Sequence, residues 1–238
     1  MKSKHLFFDL DRTLWDFEKN SEIALNKLFF DLGLHTTIPN FTVFHDLYKT
    51  HNSRLWKLYG SGKLSKDILR NERFRVTLEE FNLVDPLLVQ NISDGYVEIS
   101  PQQTTLFPTT ISTLDVLQKE GFNMHIITNG FKEVQFIKLQ KSGLENYFDI
   151  IVCSEDVGKN KPSPDIFHHS MSHAKAKPED SVMIGDDFEV DILGALSVGM
   201  QGVLFDPNKE HSHFQDNFII QQLDELPALL PWVLKKNL

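Results

Sequence analysis

The run His5-Leu6-Phe7-Phe8 drives straight into Asp9-Leu10-Asp11-Arg12-Thr13-Leu14, two carboxylates two residues apart followed by a hydroxyl. Val182-Met183-Ile184-Gly185-Asp186-Asp187 repeats the theme, with Asp191 following. A short apolar run bounded by polar residues reads as a strand buried on both faces. Leaving a carboxylate unpaired at the edge of such a strand costs roughly several kcal/mol or forces a pKa shift. A divalent cation removes that cost, so the pattern points to a nucleophile, an acid/base and a metal site. Alternatively, Asp and Thr here bond local backbone N–H groups in a turn or a helix cap. The first motif alone leaves both readings open.

Three further segments supply context. Met124-His125-Ile126-Ile127-Thr128-Asn129-Gly130 is another apolar run that ends in a hydroxyl, an amide and a glycine, with helical spacing from Phe131 onward. Thr128 and Asn129 therefore fall where a helix N-terminus can hold an anion, although a plain strand-to-helix turn with Thr or Asn as the cap uses the same residues. In Gly158-Lys159-Asn160-Lys161-Pro162-Ser163-Pro164-Asp165, Lys161 stands ahead of a proline-started helix. It can deliver a point charge to a site or simply be solvated. The acidic end at Asp186 and Asp187 makes a second carboxylate cluster, and Asp187 and Asp191 can equally cap the next helix.

Candidate strands end at Asp9, Thr128, Cys153, Asp186 and Asp206, separated by helical patterns at about 111–120, 132–142, 164–174 and 188–198. Strands alternating with helices imply an α/β fold with a doubly wound parallel sheet, its ligand site beyond the C-terminal strand ends where the winding reverses. Residues from about 16 to 100 differ. Ile23, Leu28, Phe29 and Leu32 have helical spacing with Gly33 as a stop, Phe44, Leu47, Tyr48, Leu55 and Leu58 continue it, and Ser65 caps another helix. The expected organisation is a core of 1–15 with 101–238 and an inserted all-helical cap domain of 16–100 that covers the site and reads the leaving group. Trp15, Phe17, Arg54 and Trp56 are base or sugar contacts in one reading; in the other, which their helical spacing favours, the aromatics fill a core.

Charge narrows the partners. With 24 basic and 33 acidic residues the net charge is −9, which lacks the electrostatic footprint of a duplex nucleic-acid binder. The N-terminal Met1-Lys2-Ser3-Lys4 is basic, but the apolar stretch behind it stops at Asp9, too short for a signal peptide or a membrane span. A soluble cytoplasmic protein is expected, as a monomer or small homo-oligomer. The single cysteine, Cys153, excludes an internal disulfide and a multi-cysteine zinc cluster and reads as a small buried hydrophobe. His168, His169 and His173 include an i, i+4 pair without a zinc-protease carboxylate pattern, so an exposed helix face is expected. There is no repeat and no dinucleotide-binding glycine fingerprint, and the tail with Pro227 and Pro231 reads as a docking helix.

Asp9-x-Asp11-x-Thr13, Thr128, Lys161-Pro162 and Gly185-Asp186-Asp187 with Asp191, in this order, resemble the four motifs of the haloacid dehalogenase (HAD) superfamily, and the insertion resembles the helical cap of its cap-bearing phosphatases. Phe8-Asp9-Leu10-Asp11 with Leu14-Trp15-Asp16-Phe17, the segment Asn52-Ser53-Arg54-Leu55-Trp56, Thr128-Asn129-Gly130-Phe131, and Phe148-Asp149 through Ser154-Glu155 are similar to the pyrimidine 5'-nucleotidase branch. That branch resembles house-cleaning enzymes acting on noncanonical pyrimidine nucleoside monophosphates. The superfamily's strand order implies that the winding reverses between the strands ending at Asp9 and Asp186. The resemblance further implies Mg2+ held by Asp9, Asp186 and the Asp11 backbone carbonyl, Asp9 as nucleophile, and Asp11 as the acid and base. It implies Thr128, Asn129 and Lys161 as phosphate ligands, and Asp187 and Asp191 as supports of the metal shell.

Competing readings differ in what they need. Dehalogenases of the superfamily resemble this chain in fold and cap but lack an aspartate at the position of Asp11, which disfavours that reaction. A phosphomutase or a sugar-phosphate phosphatase would use the same residues, and a non-catalytic binding module would not need the intact set.

Overall fold

The computed structural model describes residues 4–211 and 218–235; the basic stretch at Met1, Lys2 and Ser3 lies outside them. In chain order come β1 (His5–Phe8), α1 (Phe17–Asp31), α2 (Phe41–Gly60), α3 (Lys66–Glu79), α4 (Pro86–Ile99), α5 (Thr110–Lys119), β2 (Asn123–Thr128), α6 (Lys132–Lys141) and β3 (Ile150–Cys153). They are followed by α7 (Ser154–Val157), α8 (Pro164–Ala174), β4 (Ser181–Gly185), a π-helical segment Phe188–Leu193, α9 (Gly194–Ser197), β5 (Gln201–Phe205), β6 (Phe218–Ile220) and α10 (Leu226–Val233). The chain divides into two compact units, Met1–Phe17 with Thr104–Leu238, and Glu18–Gln103.

The first unit is built on one six-stranded sheet in the order β3-β2-β1-β4-β5-β6, with every pair parallel. Parallel strands joined by helices are covered on both faces, which is why β1 and β4 are buried along their whole length. Side chains alternate between the faces. Leu6, Phe8, Ile126 and Ile184 pack with Leu114, Leu117 and Leu230 on one side, and Phe7, Ile127 and Met183 pack with Ile166, Phe167 and Ala195 on the other. Phe8 sits in register with Ile126 and with Ile184, so β1 ends two residues short of the end of β2 and one short of the end of β4. The winding runs outward from β1 through β2 to β3, then reverses through β4 to β6. The chain segments that follow β1, β2 and β4 therefore meet at the reversal.

The helical stretch expected at about 188–198 is present, as a π-helical segment begun by Asp187 that passes into the four-residue α9. A sixth strand, β6, joins the five expected from apolar runs. Its three residues pair with β5 and bury Ile220, a sheet edge too short for a periodicity to register.

The second unit contains helices and no strand among its described residues. Ala24, Leu25, Leu28 and Phe29 of α1 meet Phe44 and Tyr48 of α2, Phe74 and Leu78 of α3, and Ile92 and Tyr96 of α4. The i, i+3 and i, i+4 spacings give each helix one apolar face. Asn40, Ser65 and Asp85 each accept a backbone N–H in the first turn of α2, α3 and α4, fixing where those helices start. Gly33, at φ 71°, follows α1 with the left-handed conformation that a glycine stop supplies.

Candidate active site

Beyond β1 the chain turns within six residues. Asp9 N–H still donates across the ladder to Ile184 O at 2.9 Å, after which Leu14 and Trp15 N–H both reach back to Leu10 O at 3.0 and 2.9 Å. Arg12 adopts φ 66° at the apex, and its guanidinium lies 4.3 Å from the centroid of the Phe17 ring. This turn returns Thr13 toward the next strand end, with its Oγ1 donating to Asp186 Oδ1 at 3.4 Å.

Lys161, brought in ahead of α8, is buried. Its Nζ lies 2.6 Å from Asp9 Oδ1 and 2.6 Å from Asp191 Oδ1, and donates to Ile127 O at 2.8 Å. Burial opposes its charge, yet Asp191 and Asp9 beside it hold its pKa above the ordinary lysine value. Burial also raises the Asp9 carboxyl to about 7, with Lys161 pulling it down and Asp191 pushing it up. Asp186 is raised well above the usual range by burial and then by the charges of Asp9 and Asp191, and burial raises Asp191 against the pull of Lys161.

Asp191 reaches this cluster because β4 ends in glycine. A Cβ on Gly185 would stand 2.2 Å from Asp191 Oδ2. The same oxygen accepts Asp187 N–H at 3.1 Å, and Asp187 Oδ1 accepts Val190 N–H at 2.9 Å. The Asp187 side chain is thus the cap of the π-helical segment, whereas Asp191 faces the site. Among the described residues, Asp9, Asp186 and Asp191 offer carboxylate oxygens that all lie within 4.8 Å of one another. Three clustered carboxylates, Asp9 and Asp191 buried and Asp186 half-buried, outnumber the one ammonium beside them, and an all-oxygen donor set is the kind a hard divalent cation takes. The residues fit such a cation.

Asp11 is held apart from that trio. Lys138 Nζ donates to its Oδ1 at 2.5 Å and Gln135 Nε2 to its Oδ2 at 3.0 Å. Both donors come from α6, and Lys138 also lies 4.2 Å from the centroid of the Trp15 ring. Thr128 Oγ1 accepts Gly130 N–H at 3.0 Å and lies 3.5 Å from Gln135 Oε1. A Cβ on Gly130 would fall 2.0 Å from Gln135 Nε2. The Asn129 side chain is committed elsewhere: its Nδ2 donates to Lys161 O at 3.0 Å and its Oδ1 accepts Lys161 N–H at 2.8 Å. It therefore pins the backbone that carries Lys161.

Sequence reasoning missed Lys138 and Gln135. The other aromatic and basic residues it weighed separate clearly. Trp15 is core, Trp56 is half-buried and Arg54 is exposed. His169 and His173 sit on the outer part of α8, with His173 Nδ1 2.9 Å from His169 O. Cys153 is buried, and burial pushes its thiol up to about 12. No helix among the described residues is long and apolar enough to cross a membrane.

Comparison with known proteins gives the family. The profile of the haloacid dehalogenase-like hydrolases matches residues 3–199. The pyrimidine 5'-nucleotidase YjjG of Escherichia coli (strain K12) is 33% identical over 202 residues, covering 84% of each chain. The glyceraldehyde 3-phosphate phosphatase of Methanothermobacter thermautotrophicus is 31% identical over 238 residues, 95% of this chain and 99% of that one. Among solved structures, the putative HAD-hydrolase YfnB from Bacillus subtilis bound to magnesium superposes with a TM-score of 0.86 at 28% identity, covering 97% of this chain and 100% of that one.

Proposed function

The chain belongs to the haloacid dehalogenase-like hydrolases, and from that premise we propose that this phosphoric monoester hydrolase is a 5'-nucleotidase acting on pyrimidine nucleoside monophosphates through an aspartyl-phosphate on Asp9. The observation that carries the reading is the buried cluster in which Lys161 stands 2.6 Å from Asp9, with Asp186 and Asp191 gathered around the same point. The likeness to YjjG supports the nucleotide substrate.

Phosphate monoester hydrolysis asks an anion to attack an anion, so charge must be neutralised before any bond forms. In the proposed cycle an Asp9 oxygen attacks phosphorus and the bond to the nucleoside oxygen breaks. Asp11 gives that oxygen its proton. Asp11 then takes a proton from the water that attacks the aspartyl-phosphate, releasing phosphate and regenerating Asp9. Lys161 screens the phosphoryl charge and holds Asp9 in place, Thr128 offers a hydroxyl to the phosphoryl group, and Asn129 fixes the backbone of Lys161. Magnesium would be held by Asp9, Asp186 and Asp191, with the Asp11 carbonyl as the motif resemblance implies, and when bound it supplies the positive charge this acidic cluster lacks. The helical unit serves as the cap domain that selects the leaving group.

A second reading, a sugar-phosphate phosphatase, is favoured by the longer match to the glyceraldehyde 3-phosphate phosphatase. Phosphate release from a panel of pyrimidine and purine monophosphates, glyceraldehyde 3-phosphate and p-nitrophenyl phosphate, with magnesium or EDTA, separates the two. Metal-dependent preference for pyrimidine monophosphates is expected, and preference for the triose phosphate would replace the first reading by the second.

A further inference from the structure

Arg12 occupies the apex of the turn that follows β1, and both its neighbours belong to the candidate site. Asp11 carries the carboxylate held by Lys138 and Gln135, and Thr13 Oγ1 donates to Asp186 Oδ1 at 3.4 Å. Between them Arg12 takes φ 66°, a conformation that glycine adopts freely and an L side chain only at a cost. The turn asks nothing of a side chain there. Its bonds, from Arg12 N–H to Trp15 O and from Leu14 and Trp15 N–H to Leu10 O, are backbone bonds that a glycine makes as well. Other non-glycine residues share the positive φ, namely Asn82, Thr109, Lys175 and Lys209, but Arg12 is the one flanked in sequence by two residues of the site.

The Arg12 side chain is exposed. Its guanidinium carbon lies 4.3 Å from the centroid of the Phe17 ring, and Lys138 Nζ lies 5.9 Å from the same centroid. Phe17 therefore seats two cations, one that reaches water and one that is 3% exposed and bound to Asp11. A guanidinium over a ring face leaves its in-plane N–H donors to other partners. Arg12 is also among the charges that pull the raised Asp186 carboxyl down.

This placement meets a problem that the substrate of a phosphoric monoester hydrolase brings with it. A phosphate monoester is largely a dianion at neutral pH, whereas the chain carries a net charge of −9 and gathers Asp9, Asp186 and Asp191 at one point. Lys161 is 3% exposed and engaged by Asp9, Asp191 and Ile127 O. Buried cations such as Lys161 and Lys138 act on a phosphate that has already entered. An exposed guanidinium at the rim acts on it beforehand, and its planar fork matches a pair of phosphate oxygens.

We propose that Arg12 is the capture residue for the substrate phosphate, holding it at the rim of the site before Lys161 and Thr128 receive it. The assignment rests on the reading that phosphoryl transfer takes place at Asp9. It applies equally to a nucleotide and to a triose phosphate, because both carry the same group.

The test compares wild type, Arg12→Gly and Arg12→Lys for kcat and kcat/KM on dUMP, glyceraldehyde 3-phosphate and p-nitrophenyl phosphate, with inhibition by inorganic phosphate and thermal melting. Glycine suits φ 66°, so Arg12→Gly should melt close to wild type. At low salt it should lower kcat/KM by about 10-fold on every substrate the wild type turns over, with kcat within about twofold, and weaken phosphate inhibition. Salt at about 0.5 M screens an exposed charge and should narrow the gap to about threefold or less. Arg12→Lys keeps the charge and should recover most of the loss. An arginine that only braces the turn against Phe17 would shift the melting temperature and give no salt dependence. Unchanged kcat/KM in folded Arg12→Gly, a loss that salt leaves in place, or a loss confined to one leaving group overturns the capture role. Asp9→Asn, assayed alongside, keeps the two failures apart: turnover that persists in it removes the Asp9 reading, and the capture role with it.

Discussion

Lys138 Nζ stands 2.5 Å from Asp11 Oδ1 and 4.2 Å from the centroid of the Trp15 ring. The ammonium is thereby fixed from two sides, by a carboxylate in front and an indole behind. With Gln135 on the other oxygen, the Asp11 carboxylate has one orientation, set by α6. A group proposed to give a proton to one oxygen and take one from another gains from such positioning.

Lys138→Met should release that hold. On a nucleotide substrate kcat is expected to fall about 10- to 100-fold, within the range of general acid–base contributions, with KM little changed. The loss should be smaller with p-nitrophenyl phosphate, whose leaving group needs little protonation. Lys138→Arg should recover part of the rate, and a kcat within twofold of wild type in Lys138→Met would remove the positioning role.

Asp9→Asn should abolish turnover, because the proposed nucleophile is gone, while the melting temperature stays level or rises as one of three crowded carboxylates loses its charge. Magnesium at 100 times its dissociation constant should stabilise the wild-type protein by about 2.7 kcal/mol, and EDTA should reverse this. The magnesium-induced shift should shrink in Asp9→Asn. Scanning calorimetry with and without the metal reads both effects.

Gly185→Ala places a methyl group 2.2 Å from Asp191 Oδ2 and 2.7 Å from its Cβ. Overpacking of this kind costs about 1–3 kcal/mol, and it should also displace Asp191 from Lys161 and cut activity. Gly60→Ala, which meets nothing within 4 Å, is the control. A urea midpoint for Gly185→Ala equal to that of Gly60→Ala would show that the close approach is not needed.

The sheet carries a second buried pair at the opposite ends of its strands, where His5 Nδ1 lies 3.0 Å from His125 Nε2. Burial, with His5 as the second cause, lowers His125 from 6.5 to about 4. His5 is lowered by burial too, with Asp180 and Asp149 opposing. The folded protein thus binds fewer protons here than the unfolded chain. This contribution to stability is complete above pH 6.5 and is lost as pH falls from there toward 4. Melting temperatures of wild type and His125→Phe over that window should converge as the pH drops; parallel curves would exclude the pair as a source of acid sensitivity.

The strands that position the site were legible because each apolar run breaks at a residue whose polarity the run does not explain, as Phe8 does at Asp9 and Ile184 does before Asp186. Helix α6 shows why Lys138 was not. It exposes Phe136 at 42% and buries Lys138 at 3%, the reverse of what binary patterning expects, and a lysine on a predicted helix reads as solvated. The available signal was Gln135 and Lys138 three residues apart on one face, just past the Thr128 motif. The π-helical segment at Phe188–Leu193 left no periodicity of its own. What distinguishes it is the demand that Asp187 cap the segment while Asp191 faces the cluster.

The chain leaves the first unit and returns to it through neighbouring backbone. Asp16 N–H donates to Thr105 O at 3.1 Å, Phe107 N–H donates to Leu14 O at 3.0 Å, and Trp15 bridges Leu106. Exit and return are thus stitched into a two-stranded seam that owes nothing to the segment looped between them. For heredity, that seam works like a socket. Helical cassettes of other lengths and pocket chemistries can be plugged in behind Phe17 and ahead of Thr104 while the phosphoryl-transfer machinery stays as it is, which gives a route by which one hydrolytic engine is retuned to new metabolites.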